Sequence, residues 1–249
     1  MKQVLLNWMK RLRDSMYRDS PLQKDIQHIQ SLAEEAVWHH VFHESQRWSG
    51  TQKNLNIGRW AGGPSFFFVL KRIIEIQKPS YILEMGLGES SKFISSKLEE
   101  IPGAAHWILE HDERWIEIFQ NSNSLNPSSV IELSPLVHVE HQEDGINGLA
   151  YQSVRTDHWQ KADLIVVDGP QGRGEYARAN VLDLVPHLHP DRSFAVLFDD
   201  THRQGEQNTV GEFLDRLHAA GITAHRADFG GLKACSIVCS QDLVWLLTV

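Results

Sequence analysis

From about residue 62 onward the chain repeats one unit: a short apolar run, a turn, then a stretch with helical spacing of apolar residues. The runs fall at 81–85, 106–110, 136–140, 163–168 and 193–200. Helical stripes precede, separate and follow them: 65–77 (Phe67, Leu70, Ile73, Ile74), 91–100, the stretch holding Trp115, Ile118 and Phe119, 177–188, and 210–220 with Gly221 as C-cap. An apolar run without polar alternation reads as a strand buried on both faces, which a parallel sheet covered by helices provides. Repeated strand–helix alternation makes that sheet doubly wound. The tail, 224–229, then Gly230-Gly231, then 234–238, reads as an antiparallel hairpin on one edge. The expected fold is therefore α/β and Rossmann-like: a doubly wound, mostly parallel seven-stranded sheet with a C-terminal antiparallel hairpin.

The first 61 residues read differently, as an N-terminal helical extension to a domain at 62–249. Leu5, Trp8, Met9, Leu12 and Met16 recur at helical spacing among Lys2, Lys10, Arg11, Arg13 and Arg18. A basic amphipathic helix can make weak contact with a membrane surface. The plainer expectation is that it packs on its own domain or on a second subunit of a homo-oligomer. Ser20-Pro21 then reads as an N-cap and first helical residue, opening a helix to about residue 45. Asn7 and the basic residues interrupt the N-terminal apolar stretch, no apolar run is long enough to span a bilayer, and two cysteines make no disulfide framework. The expected compartment is the cytoplasm. With 24 basic against 32 acidic side chains, the chain lacks the basic footprint of a nucleic-acid binder.

The acids are placed in a pattern. Glu84, Glu110, Asp168, Asp199 and Asp200 all fall at or beside the carboxyl ends of the apolar runs, which is where open parallel sheets bind ligands. After the first run, Gly86 and Gly88 allow a sharp turn and close approach of a ligand to the backbone. The helix that follows presents free N–H groups suited to an anionic group. Ser91 stands where the dinucleotide fingerprint has its third glycine, and Glu84 would repel a pyrophosphate. Those two features count against a nicotinamide-dependent oxidoreductase, the first rival reading. A non-catalytic binding protein is the second.

Glu84-Met85-Gly86-Leu87-Gly88-Glu89-Ser90 resembles the first motif of class I S-adenosylmethionine-dependent methyltransferases, and Glu110 follows Gly86 by 24 residues, where that family holds the ribose. The resemblance covers roughly 62–239. It implies that Glu84, Gly86 and Gly88 face the methionine end of S-adenosyl-L-methionine and that Ser90 bonds its carboxylate. It also implies that Glu110 binds the ribose, that Glu143 lies near adenine, and that Asp168 borders the cofactor. Asp168 with Asp199-Asp200 further resembles the catechol O-methyltransferase branch, which implies a divalent cation, Mg²⁺ first, on those three acids. That branch has asparagine where this chain has Asp200, and Gln171 replaces its lysine. Asp168 and His202 are the candidate catalytic residues, His202 as base. Arg203 and Arg173 are candidate cations for an anionic substrate group.

The loops 167–170 and 199–203 resemble those of bacterial polysaccharide-associated methyltransferases, which implies a sugar or glycan hydroxyl, or a small-molecule hydroxyl, as acceptor. The segment 58–63 reads as a lid or a hinge. His39, His40 and His43 include an i, i+4 pair without a suitably spaced acid, and read as surface histidines. Cys235 and Cys239 read as small packing residues.

Overall fold

A computed structural model describes residues 20–49, 55–141, 146–152, 154–172 and 174–248. The N-terminal stretch 1–19, with its amphipathic pattern, lies outside the described residues. Helix α1 (Pro21–Ser49) starts where the sequence places it, with the Ser20 hydroxyl accepting from Gln23 N at 3.2 Å. Helix α2 (Pro64–Arg72) runs into a wider π turn at Ile73–Gln77.

Then the alternation begins: β1 (Tyr81–Met85), α3 (Glu89–Lys97), β2 (Ala105–Glu110), α4 (Glu113–Ser122) and β3 (Ser129–Leu133). A separate hairpin, β4 (Leu136–His141) with β5 (Ile146–Tyr151), precedes α5 (Thr156–Lys161) and β6 (Leu164–Val167). A 3-10 segment (Ala179–His187), β7 (Ala195–Phe198), α6 (Gln204–Ala219), β8 (Ala224–Phe229) and β9 (Cys235–Ser240) complete the sheet, and a 3-10 turn (Gln241–Leu247) follows.

The seven strands run in the order β3-β2-β1-β6-β7-β9-β8. The first five are parallel, β9 is antiparallel to β7, and β8 to β9. This is the expected fold class. Alternate residues serve the two faces. Ile82, Leu164, Val166, Ala195 and Leu197 pack under α2 and α3 with Phe42 of α1, while Leu83, Met85, Ile165, Val167, Val196 and Phe198 pack under the 3-10 segment and α6. Both faces of β6 and β7 are dry, which is why their sequences show no alternation.

The third parallel strand is not 136–140, as the sequence pattern suggests, but Ser129–Leu133. It is an edge strand with half-exposed residues, so its apolar signal is weaker than that of the hairpin behind it. Within the stretch 177–188 the helix is 3-10 rather than α and spans Ala179–His187, with Pro186 inside it. Among the described residues no helix is long and apolar enough to cross a membrane.

Candidate active site

The strand order reverses between β1 and β6. From β1 the chain moves outward through β2 and β3, then returns to β6 and moves outward the other way. Such a switch point leaves a crevice at the carboxyl ends of the two strands. Gly86 lies in it with φ of +104°, and a Cβ there would come within 3.2 Å of both the Asp168 carbonyl carbon and Gly169 N. Only glycine lets the two loops approach so closely.

Neighbours fix the glycine turn. Gly86 N donates to Leu109 O at 2.9 Å, Leu87 N to Glu110 Oε2 at 3.1 Å, and Gly88 N to Ser91 Oγ at 3.0 Å. Ser91, which breaks the dinucleotide fingerprint, is thus an N-terminal cap of α3. Glu110 also accepts from His111 N (2.6 Å) and Asp112 N (2.9 Å) through Oε1. Its Oε1, which also lies 2.8 Å from His111 Nδ1, is fully engaged, while Oε2, which accepts only from Leu87 N, has a lone pair to spare. Ser90 is buried in the first turn of α3.

Glu84 is wholly buried. Its Oε2 meets His106 Nε2 at 2.9 Å, His106 Nδ1 meets Ser129 Oγ at 3.0 Å, and Glu84 Oε1 has no partner. A buried carboxylate oxygen left bare is costly unless a ligand completes it. Tyr151, at the end of β5, presents a second bare atom: its hydroxyl is buried without a partner. It lies 2.6 Å from where a Cβ on Gly169 would stand. Burial first, then the charges of Glu110, Asp168 and Glu84, push that hydroxyl well above the usual tyrosine range. The acids of the first motif, the second strand and the fourth parallel strand thus all act on one buried hydroxyl.

On the far side of Asp168 the three aspartates gather. Asp168, Asp199 and Asp200 each offer an oxygen within 4.8 Å of the others, the one such cluster among the described residues. Asp200 adopts φ of +60°, a left-handed conformation that aspartate tolerates better than most residues. Three cations attend them. Arg178, on the loop after β6, is 4% exposed and places Nη2 2.6 Å from Asp200 Oδ2 and 3.4 Å from Asp168 Oδ1. Its Nη1 donates to Val167 O at 3.2 Å and Asp199 O at 3.0 Å, clamping the ends of β6 and β7. Lys233, in the turn between β8 and β9, sets Nζ 3.0 Å from Asp199 Oδ2 and 3.0 Å from Asp200 Oδ1, and donates to Ala61 O at 2.8 Å. Arg203 reaches Asp200 Oδ2 at 3.1 Å.

The titration behaviour follows. Burial, then the Asp199 charge, lifts the Asp168 carboxyl well above its ordinary value against the pull of Arg178. Burial works on Asp200 too, but Arg178 and Lys233 outweigh it and hold that carboxyl low. Burial keeps the His202 imidazole below the usual histidine value. His202 Nδ1 accepts a long bond from Ala234 N at 3.4 Å.

Three carboxylates suit Mg²⁺ or Mn²⁺ by donor type. Their surroundings do not. Lys233 Nζ already stands 3.0 Å from an oxygen of Asp199 and of Asp200, and Arg178 Nη2 lies against Asp200 and Asp168, so one oxygen of Asp168 and of Asp199 and both oxygens of Asp200 face a resident cation, and only Asp199 Oδ1 is left bare on the fully buried Asp199. The residues as arranged do not fit a divalent ion.

The segment at 55–63 crosses the rim of the site. Asn56 N donates to Glu89 Oε2 at 3.1 Å at the start of α3, Gly58 N to Gly62 O at 2.9 Å, and Ala61 O receives Lys233. That path is the one a cover would take. Glu143 and Arg173 lie outside the described residues. His39 and His43 stack at 6.0 Å, and the cysteines are free and buried.

Sequence reasoning misses Arg178, Lys233, Tyr151 and His106. Lys233 had a usable signal. A last strand antiparallel to β7 must bring its first residues beside the end of β7, as the Phe198–Ser236 pairing does.

No protein-family model matches the chain, and no curated protein matches it. Solved structures resemble it at low identity. An O-methyltransferase from Bacillus cereus in complex with SAH is 15% identical, covers 92% of this chain and 97% of its own, at a TM-score of 0.46. The O-methyltransferase TomG from Streptomyces achromogenes in complex with SAM is 14% identical over 84% and 89%, at 0.45. A precorrin-6y C5,15-methyltransferase from Geobacter metallireducens is 10% identical over 75% and 92%, at 0.47. Likenesses this distant carry no argument about activity, so the functional reading rests on the crevice itself.

Proposed function

We propose that the chain is an S-adenosyl-L-methionine-dependent O-methyltransferase acting on a hydroxyl of a sugar, glycan or small molecule. The observation that carries this reading is the acidic crevice at the switch point. A glycine turn lies between Glu110 and Asp168, and the bare oxygens of Glu84 and Tyr151 are buried beside it. Negative and acceptor-rich walls suit a ligand with a sulfonium, an ammonium and a ribose diol, and they repel a pyrophosphate.

When bound, the donor supplies an electrophilic methyl group and a thioether leaving group. The chain's part is alignment and proton removal. Alignment is the larger share, on the order of 7–11 kcal/mol in the best intramolecular cases. Glu110 offers Oε2, its less engaged oxygen, to the ribose, Ser90 and the N–H groups at the start of α3 take the donor's carboxylate, and Glu84 lies on the amine side. His202 takes the acceptor proton at Nδ1, the nitrogen that otherwise accepts only the long bond from Ala234 N. Burial keeps it neutral near neutral pH, whereas Asp168 already faces Arg178. The 55–63 segment keeps water from the rim. No step is assigned to a divalent ion, and the acceptor class rests on the resemblance of the 167–170 and 199–203 loops.

The test is a thermal-shift and calorimetric comparison of S-adenosylhomocysteine with NAD⁺ and NADP⁺. Saturable binding of S-adenosylhomocysteine alone supports the reading. Binding of a nicotinamide dinucleotide in its place establishes the oxidoreductase instead. If nothing binds, the chain is a non-catalytic relative of the fold.

A further inference from the structure

The acidic trio resembles a metal site in its acids and departs from one in its cations. Asp199 is fully buried and Asp200 nearly so. Each presents an oxygen 3.0 Å from the same atom, Lys233 Nζ. A third oxygen, Ala61 O, lies 2.8 Å from it. Three oxygens from two chain segments thus surround the ammonium, two of them as hydrogen-bond acceptors (Asp199 Oδ2 and Ala61 O) and Asp200 Oδ1 at ion-pair distance. Those segments are the end of β7 and the strap at 55–63, and the lysine joins both to its own turn between β8 and β9. The Lys233 side chain is 13% exposed.

We propose that Lys233 is the resident cation of this site: its ammonium occupies the place between Asp199 and Asp200 that a divalent ion would take, and the intact chain binds none there. Arg178 reinforces the exclusion from the opposite side, 2.6 Å from Asp200 and 3.4 Å from Asp168. A metal is exchanged with solvent; a lysine is not. The arrangement therefore ties the strap at 55–63 to the aspartates through the bond from Lys233 Nζ to Ala61 O and makes the site's charge independent of metal supply. The inference concerns the trio and stands whether or not S-adenosylmethionine is the donor.

The experiment is a Mn²⁺ titration followed by electron paramagnetic resonance on the full chain, as wild type, Lys233→Met, Asp199→Asn and the Lys233→Met/Asp199→Asn double variant. Circular dichroism checks that each is folded. Wild type is expected to bind Mn²⁺ no better than Asp199→Asn. Lys233→Met, freed of one like charge, is expected to gain affinity about tenfold or more, and the second substitution to remove the gain. Wild-type binding that Asp199→Asn abolishes overturns the proposal, as does a folded Lys233→Met that gains nothing. Should Lys233→Met fail to fold, Mn²⁺-soaked wild-type crystals decide by anomalous scattering. A peak between Asp168 and Asp199 refutes the proposal; lysine density between Asp199 and Asp200 without a peak upholds it.

Discussion

Replacing Arg178 by methionine removes the cation that holds the ends of β6 and β7 together while leaving a side chain of similar length. The guanidinium is buried and faces Asp168, Asp200, the Val167 and Asp199 carbonyls and, at 3.9 Å, Glu206. Breaking a buried ion pair from one side strands the other charge and costs about 3–5 kcal/mol. For a chain of this size that is a fall in melting temperature of roughly 10 °C.

The loss has a sign in pH. Asp168 holds its proton more tightly in the folded chain than an ordinary carboxyl does, and Arg178 is the strongest influence opposing that rise. A group raised in this way stabilises the fold below its unfolded pKa, and that contribution disappears as pH climbs through its folded pKa. Without Arg178 the folded value moves higher still. The variant's deficit should therefore be larger at about pH 8 than at about pH 5, where the carboxyls begin to protonate. Urea denaturation of wild type and variant at the two pH values measures it. A deficit below about 1 kcal/mol at the higher pH, the scale of an exposed ion pair, would refute the reasoning. So would a deficit that grows on acidification.

Other substitutions are as specific. Gly86→Ala introduces a methyl group 3.2 Å from the backbone of Asp168 and Gly169 at a positive φ; a loss of about 1–3 kcal/mol in chemical denaturation is expected, with weakened S-adenosylhomocysteine binding by calorimetry. Tyr151→Phe deletes a buried, unpartnered hydroxyl and should stabilise the ligand-free chain by about 1 kcal/mol; a destabilisation in the same assay would mean that the hydroxyl has a partner. Burial pushes the Cys239 thiol up to about 12 and Cys235 higher, so Ellman's reagent should label neither cysteine in the native chain at about pH 8 and both after denaturation.

The sheet's central strands were legible because burial on both faces leaves no room for polar residues. Residues 81–85 and the apolar hearts of 163–168 and 193–200 emerge as strands almost to the residue. Where burial is partial the pattern misleads. Edge strand β3 mixes Ser129 and Glu132 with Val130 and Ile131, so the brighter run at 136–140 took its place although it pairs only with β5. The candidate site divides in the same way. Its acids were legible because strand ends are marked in the sequence. Its cations were not, since Arg178 and Lys233 come from loops whose positions follow only from the three-dimensional path. That difference decides the chemistry: the same three aspartates imply a metal when read along the chain and a lysine-bridged cluster when Lys233 is seen between two of them. Glu84 was placed correctly at a strand end, but its bond to His106 required the β1–β2 register, which sets Glu84 beside Ile108.

A crystal structure of the full chain with S-adenosylhomocysteine tests the central claim most directly. The expected density places the ribose hydroxyls on Glu110 and the homocysteine over the Gly86 turn, its amine toward Glu84 and its sulfur facing the crevice beside Asp168. Homocysteine density elsewhere on the molecule, or a glycine turn left empty at saturating ligand, would contradict the account.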